Sequence, residues 1–371
     1  MKKRISLWLT LTVLTVALAA VLVACSSAEK KASEGLAFVS NGDGTCFVSG
    51  IGTCTDKNVR IPSVSPDGDS VTSIGAHAFE GCTKLTIPDS VTSISFYAFS
   101  GYTSLTSIQV DENNPVYHSD GNCLIETATK TLVLGCKTSI IPTDGSVISI
   151  GKSAFFSCTS LTNITIPDNV ISIGSKAFCG CTGLTSITIP DSVTVIGESA
   201  FAGCTGLTSI TISDSVTSIG DRAFSSCYSL TNILVGEHNT AYHSEGNCLI
   251  ETASKTLIVG CKTSTIPIDG SVTSIGKFAF FNCTSLTNIT IPNSVTCIGD
   301  DAFRQCFSLT NITIPDSVNS IGYQAFSYCW HLTSITFYGT KAQWQAIEKG
   351  SRWTFDSRIN TIHCTDGDIQ I

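Results

Sequence analysis

Residues 184–206 read LTSITIPDSVTVIGESAFAGCTG, and the stretch that follows, LTSITISDSVTSIGDRAFSSCYS, repeats them almost letter for letter. An Ala-Phe pair marks the repeat at Ala78, Ala98, Ala154, Ala177, Ala200, Ala223, Ala279, Ala302 and Ala325. Most intervals equal the step from Ala177 to Ala200. The first is slightly shorter, and those from Ala98 to Ala154 and from Ala223 to Ala279 are more than twice as long. A chain built this way cannot be several independent globules. Each unit is one coil that cannot bury its own apolar side, and stacking the coils makes one continuous core.

The apolar positions define the coil. In the unit from Ala177 they are Phe178, Cys181, Leu184, Ile187, Ile189, Val193 and Ile196. No helical period runs through them, which argues against helix. The I-x-I pair flanked by Thr is β-rich and alternating, and reads as a short strand. A unit of this length has room for the crossover of about a dozen residues that parallel strands need. About nine turns at the strand spacing predict a rod about 40–50 Å long.

On these residues the chain resembles the leucine-rich repeat proteins, with Ile and Val replacing several leucines of the pattern L-x-x-L-x-L-x-x-N-x-L. More narrowly, I-P-x-S-V-T-x-I-G-x-x-A-F-x-x-C is similar to the BspA-like (Treponema pallidum-type) surface proteins. The resemblance covers residues 36–371. It implies an α/β solenoid, a leucine-rich repeat coil with a parallel β-sheet on its concave face and short helical or irregular convex segments. Ser90, Ser146, Asn169, Ser192, Ser215, Ser271, Ser294 and Ser317 occupy the position where the family often has Asn. Hydrogen bonds to neighbouring turns are expected there.

Residues 117–142 and 242–267 are matching insertions. The offset from His118 to His243 equals that from Ala154 to Ala279, so a larger block is duplicated. Each insertion reads as a hairpin protruding from the rod, giving insertions near 111–141 and 236–266 within a solenoid spanning 61–338. Residues 36–60 read as an N-terminal capping hairpin. Residues 339–371 read as a C-terminal cap, with a capping box at Thr340-Lys341-Ala342-Gln343 opening a short helix. Trp344, Trp353 and Phe355 would close the last turn.

The N-terminus carries a separate signal. Lys2, Lys3 and Arg4 precede an uncharged apolar run that ends in Leu22-Val23-Ala24-Cys25, as an export signal does. The last four residues resemble a bacterial lipobox, which implies a signal peptide over 1–24, lipidation at Cys25 and a polar spacer over 25–35. The expected location is exported, lipid-anchored to the bacterial cell envelope and surface-exposed.

Eighteen cysteines raise the question of metal or disulfides. Cys82, Cys158, Cys181, Cys204, Cys227, Cys283, Cys306 and Cys329 share one repeat position. They form a line along the core, where a zinc site needs a converging cluster, so they read as small buried hydrophobes. Cys46/Cys54, Cys123/Cys136 and Cys248/Cys261 lie on hairpin segments and are the candidate disulfides. No metal site, cofactor or catalytic residue is expected. His118 beside Asp120, and His243 beside Glu245, give no ligand set and read as turn positions. NGDGT at 41–45 lacks the bidentate Glu of a calcium loop and reads as a hairpin turn.

Only 13% of residues are charged, and the net charge is −8 with no basic stripe, which excludes a nucleic-acid partner. If the I-x-I isoleucines point inward, their neighbours point out. The outward rows are Asn163 and Thr165, Ser186 and Thr188, Ser209 and Thr211, Asn288 and Thr290, and Asn311 and Thr313. They form a neutral, hydrogen-bonding surface interrupted at Leu234. Solenoids use such extended surfaces for binding, and the resemblance implies adhesion by a monomer to host matrix, host cells or other bacteria. A passive envelope spacer is the alternative. A surface glycan-acting enzyme is the weaker one, because Asp168, Asp191, Asp214 and Asp316 fall one per turn at the same corner and do not face one cleft.

Overall fold

The computed structural model describes residues 31–371 except 80, 96, 97 and 100–103. The expected signal peptide and Cys25 lie outside the described residues. What is described is a β-solenoid of parallel sheets, as the repeat requires, with about 14 turns. Nine Ala-Phe landmarks undercount the turns because both insertions and both caps add passes that lack the pair.

Most repeats contribute two strands where one was expected. The I-x-I strands pair in parallel, with Ser186↔Ser209, Ile187↔Ile210 and Thr188↔Thr211. A second, two-residue strand forms at the V-x-x-I step, running through Ser149–Ile150, Ser172–Ile173, Val195–Ile196 and Ser218–Ile219 in register. Two-residue strands carry little propensity of their own. Repetition places identical backbone at the same height in every turn, and that makes the ladder.

The third side is the Ala-Phe turn. Lys176, Ser199 and Arg222, each just before the Ala, are left-handed, with φ of 55° to 58°. The turn directs its N–H groups along the axis. Phe155 and Phe178 donate to the carbonyls of Ala177 and Ala200 at 2.7 Å, and Phe201 donates to Ala223 at 2.8 Å. The phenyl rings stack inside. Centroids of Phe155, Phe178, Phe201 and Phe224 lie 5.0, 5.3 and 5.5 Å apart and within 6° of parallel. Phe280, Phe303 and Phe326 form a second column.

The cysteine column is buried as expected except at the half-buried Cys283, and it also bonds. The thiol of Cys204 donates to the carbonyl of Phe178 at 3.1 Å, and Cys181, Cys227, Cys306 and Cys329 make the same bond one turn back. At the opposite corner Ser192 donates to Val170 O at 2.6 Å, as do Ser90 to Val71 and Ser317 to Val295 at 2.7 Å. Asn169 reaches Val147 O. Ser146, Ser271 and Ser294 make no such bond to the turn before.

The glycine that follows all but one V-x-x-I step, Ser95 standing after Ile94, is required by the neighbouring turn. A Cβ on Gly197 would stand 2.5 Å from the nitrogen of Ser175 and 2.6 Å from the carbonyl carbon of Gly174. Gly174, Gly220, Gly299 and Gly322 meet the preceding turn in the same way. Because those contacts are backbone, the added methyl cannot be relieved by a rotamer change. Gly197→Ala is expected to cost about 1–3 kcal/mol, measured by urea unfolding. A cost no larger than the few tenths typical of a surface substitution would show that adjacent turns separate easily.

The insertions do not protrude. Tyr117–Asp120 pairs antiparallel with Cys123–Glu126, which pairs antiparallel with Thr131–Leu134. Thr131–Leu134 then joins Ser149–Ile150 in parallel, so the meander continues the sheet of short strands. The second insertion repeats this through Tyr242–Glu245, Cys248–Glu251 and Thr256–Val259 onto Ser274–Ile275. Gly121 and Asn122 both have positive φ, as do Gly246 and Asn247, which is the two-residue hairpin turn that matches strand twist. The middle strands are wholly apolar inside, with Cys123, Leu124 and Ile125 at 0% exposure. A protruding hairpin could not bury both faces of one strand.

At the N-terminal end, Ala37–Ser40 folds back on Thr45–Gly50, which pairs in parallel with Ser70–Ile74. At the other end the helix Lys341–Ala346 starts at Thr340, whose hydroxyl accepts from Gln343 N while the Gln343 side chain accepts from Thr340 N. Trp344 packs edge-on against Phe337 and Trp353, and Trp353 against Phe326, closing the phenylalanine column. A hairpin of Thr361–Cys364 and Gly367–Gln370 finishes the sheet.

Candidate functional site

Among the described residues the I-x-I strands build three separate sheets, broken at each insertion. Asn58–Arg60, Lys84–Ile87 and Ser107–Val110 make the first. Ser186–Thr188, Ser209–Ile212 and Asn232–Val235 make the second. Asn288–Thr290, Asn311–Ile314, Ser334–Phe337 and the terminal hairpin make the third. The reason lies in the hairpin turns. Ile140 N–H donates to Gly121 O and Thr265 N–H to Gly246 O, so these passes bond to the insertion and leave the sheet.

The proposed outward residues therefore fall into two groups. Ser186, Thr188, Ser209 and Thr211 lie in register on one face of the second sheet, followed by Asn232 and the 46%-exposed Leu234. Asn288, Thr290, Asn311 and Thr313 lie on the third sheet, where Asn311 Nδ2 donates to Asn288 Oδ1 at 3.0 Å. Asn163 and Thr165 are exposed, but their pass is not a strand. They face Ser186 and Thr188 across a trough of about 650 Å³, also lined by Ile164, Ile187, Asp168 and Asp191. The carboxylates of Asp168 and Asp191 make no ion pair among the described residues.

The candidate disulfides are not formed: Cys46, Cys54, Cys123, Cys136, Cys248 and Cys261 stand as free thiols. Within each insertion the two sulfurs turn to different carbonyls. Cys123 faces Gly121 O and Ile140 O, whereas Cys136 faces Asn122 O and the Thr138 hydroxyl. Cys248 and Cys261 repeat the arrangement. Cys46 faces Asp69 O. Hairpin proximity suggested the pairs, but in each insertion both sulfurs sit at backbone carbonyls as thiols and are not joined.

His118 and His243 pair across their hairpins with Thr127 and Thr252. In the NGDGT turn, Asp43 accepts from the hydroxyl and N–H of Thr45, and the hydroxyl bond first of all holds its carboxyl below the usual range. Among the described residues, no group of three or more His, Cys, Asp or Glu is placed to hold a metal ion.

Residues 53–125, 130–246 and 251–364 match the BspA type leucine rich repeat region in six copies. No curated protein matches the chain. Among solved structures, a leucine rich cell surface protein from Faecalibacterium prausnitzii is similar at 28% identity and a TM-score of 0.51. The alignment covers 86% of this chain and 97% of that one. The pneumococcal vaccine antigen PcpA shares the fold at 18% identity and a TM-score of 0.51, over 91% of this chain and 87% of its own.

Proposed function

This chain belongs to the BspA-type leucine-rich repeat family, and on that premise we propose that it is a surface protein that binds macromolecules through the outward faces of its I-x-I sheets. The observation that carries this reading is the in-register display of Ser186, Thr188, Ser209 and Thr211. These hydroxyls form flat, neutral rows with no packing duty, while the isoleucines between them are buried. Area and repetition would supply affinity through many weak contacts. We read the role as binding, with repeat proteins of this family serving as scaffolds.

The cell-surface description of the Faecalibacterium neighbour supports an exported protein, and the Leu22-Val23-Ala24-Cys25 stretch supports a lipid anchor at Cys25. We read the partner as an extracellular protein or cell-surface ligand, met by a monomeric rod in adhesion. The test is a pull-down of the mature rod against matrix proteins and intact cells. Binding is expected, and Thr188→Lys with Thr211→Lys is expected to weaken it at least tenfold without lowering stability. Uniform absence of binding would remove adhesion and leave an envelope spacer.

A further inference from the structure

We propose that the cleft beside Ser153, where the first insertion interrupts the sheet of short strands, binds a small phenol. The cleft uses no residue of the I-x-I faces and is independent of the adhesion reading. Thr131–Leu134 pairs with Cys123–Glu126 on one side and Ser149–Ile150 on the other. Neither edge is left for Ser93–Ile94, so the sheet of short strands breaks there, and it breaks again between Ser218–Ile219 and Thr256–Val259. At the first break a cleft of about 170 Å³ opens, lined among others by Ile94, Phe99, Val133, Leu134, Ser153 and Phe156.

The second break shows what such a space holds. At the offset of the duplication, residues 94–156 correspond to 219–281, and Ser153 to Phe278. Both residues are left-handed, with φ of 59° and 62°, so their side chains leave the backbone in the same direction. The buried Phe278 ring meets Phe281 edge-on, with centroids 5.7 Å apart. The Lys277 ammonium lies 4.9 Å and the Arg222 guanidinium 3.7 Å from its centroid. The space left beside this group is about 30 Å³. At the first break Lys152 stands for Lys277 and Phe156 for Phe281, while the ring itself is replaced by the serine. Tyr97, the counterpart of Arg222, lies outside the described residues.

The serine also says what the ring carries. Its Oγ occupies the place of the first ring carbon of a phenylalanine, and it is buried with no hydrogen-bond partner among the described residues. Folded proteins rarely leave a buried hydroxyl unmet. A ring bearing one hydroxyl answers both features. The ring fills apolar space between an ammonium and an aromatic edge, and its hydroxyl bonds to Ser153 Oγ. A cleft of this volume has the size that takes a single benzene ring.

The probe is phenol, titrated into the protein by calorimetry beside toluene and cyclohexanol. One phenol per chain is expected. Toluene should bind about fivefold more weakly for want of the hydroxyl, and cyclohexanol about tenfold more weakly for want of the π face. Ser153→Phe puts the ring of the second break into the first. It should abolish phenol binding and raise the melting temperature by a few degrees. Phe278→Ser opens the second break and should take the stoichiometry from one phenol to two. The proposal would be overturned by no phenol binding, by binding that survives Ser153→Phe, or by toluene or cyclohexanol bound as tightly as phenol. A lower melting temperature for Ser153→Phe would overturn it too, because the cleft would then have no room for a ring. A folded Phe278→Ser variant that still binds a single phenol would break the equivalence of the two clefts and the proposal with it.

Discussion

Under reducing conditions the protein is expected to lose stability steeply as pH rises above about 9, well before ordinary alkaline denaturation. Burial pushes the thiols of Cys82, Cys123, Cys204, Cys248 and Cys329 up to about 12. In the unfolded chain they ionise near about 8.5. Between those limits the native state holds more protons than the unfolded one, so unfolding free energy falls with pH. The contribution is complete below about 8.5 and disappears as pH climbs through about 12. Each thiol contributes a slope of about 1.4 kcal/mol per pH unit, and several act together. Urea titrations followed by circular dichroism across this range measure the slope. Cys204→Ala should make it shallower by one thiol's share. A flat profile in that range would mean that the column ionises in place, and hence that it is wet.

Phe201→Ala is expected to destabilise the middle of the rod by about 3–5 kcal/mol. The ring has 0% exposure and lies face to face with Phe178 and Phe224. Its removal leaves a cavity that two neighbouring turns share, and in a linear array the lost term is the coupling between them. Ile268→Ala is the control: at 89% exposure it should stay within about 0.5 kcal/mol. The buried apolar side chains form three clusters that meet at the insertions. Phe201→Ala should therefore melt the central segment ahead of the terminal ones in hydrogen exchange. Uniform loss along the whole rod would show that the three clusters unfold as one.

Much of the interior was legible without coordinates. Phe178, Cys181, Leu184, Ile187, Ile189, Val193 and Ile196 were placed inside by their recurrence, and every one is buried. The cysteine column was legible as a line because a periodic position in a stacked coil can do nothing else. The second strand of each turn was not. Its residue pair has no alternation to read, and its partner is the same step in the next turn.

The insertions show the limit most clearly. Residues 117–142 announce a hairpin through the Asp120-Gly121 step, and a hairpin by itself says nothing about which edge it joins. Packing decided that Cys123, Leu124 and Ile125 belong inside the rod, and the resulting hydrogen bond from Ile140 to Gly121 removed a pass from the I-x-I sheet. The candidate disulfides are not formed, because nearness along a hairpin does not by itself join two sulfurs.

Repetition by itself determined that this chain stacks into a coil and which side chains fill it, because a periodic apolar pattern has only the next copy to pack against. Where the sheets break, which edges are left unpaired and which carboxylates stand beside them were decided by tertiary structure alone. Those features depend on hydrogen bonds between passes, and the sequence of any one pass is silent about the neighbour it lacks.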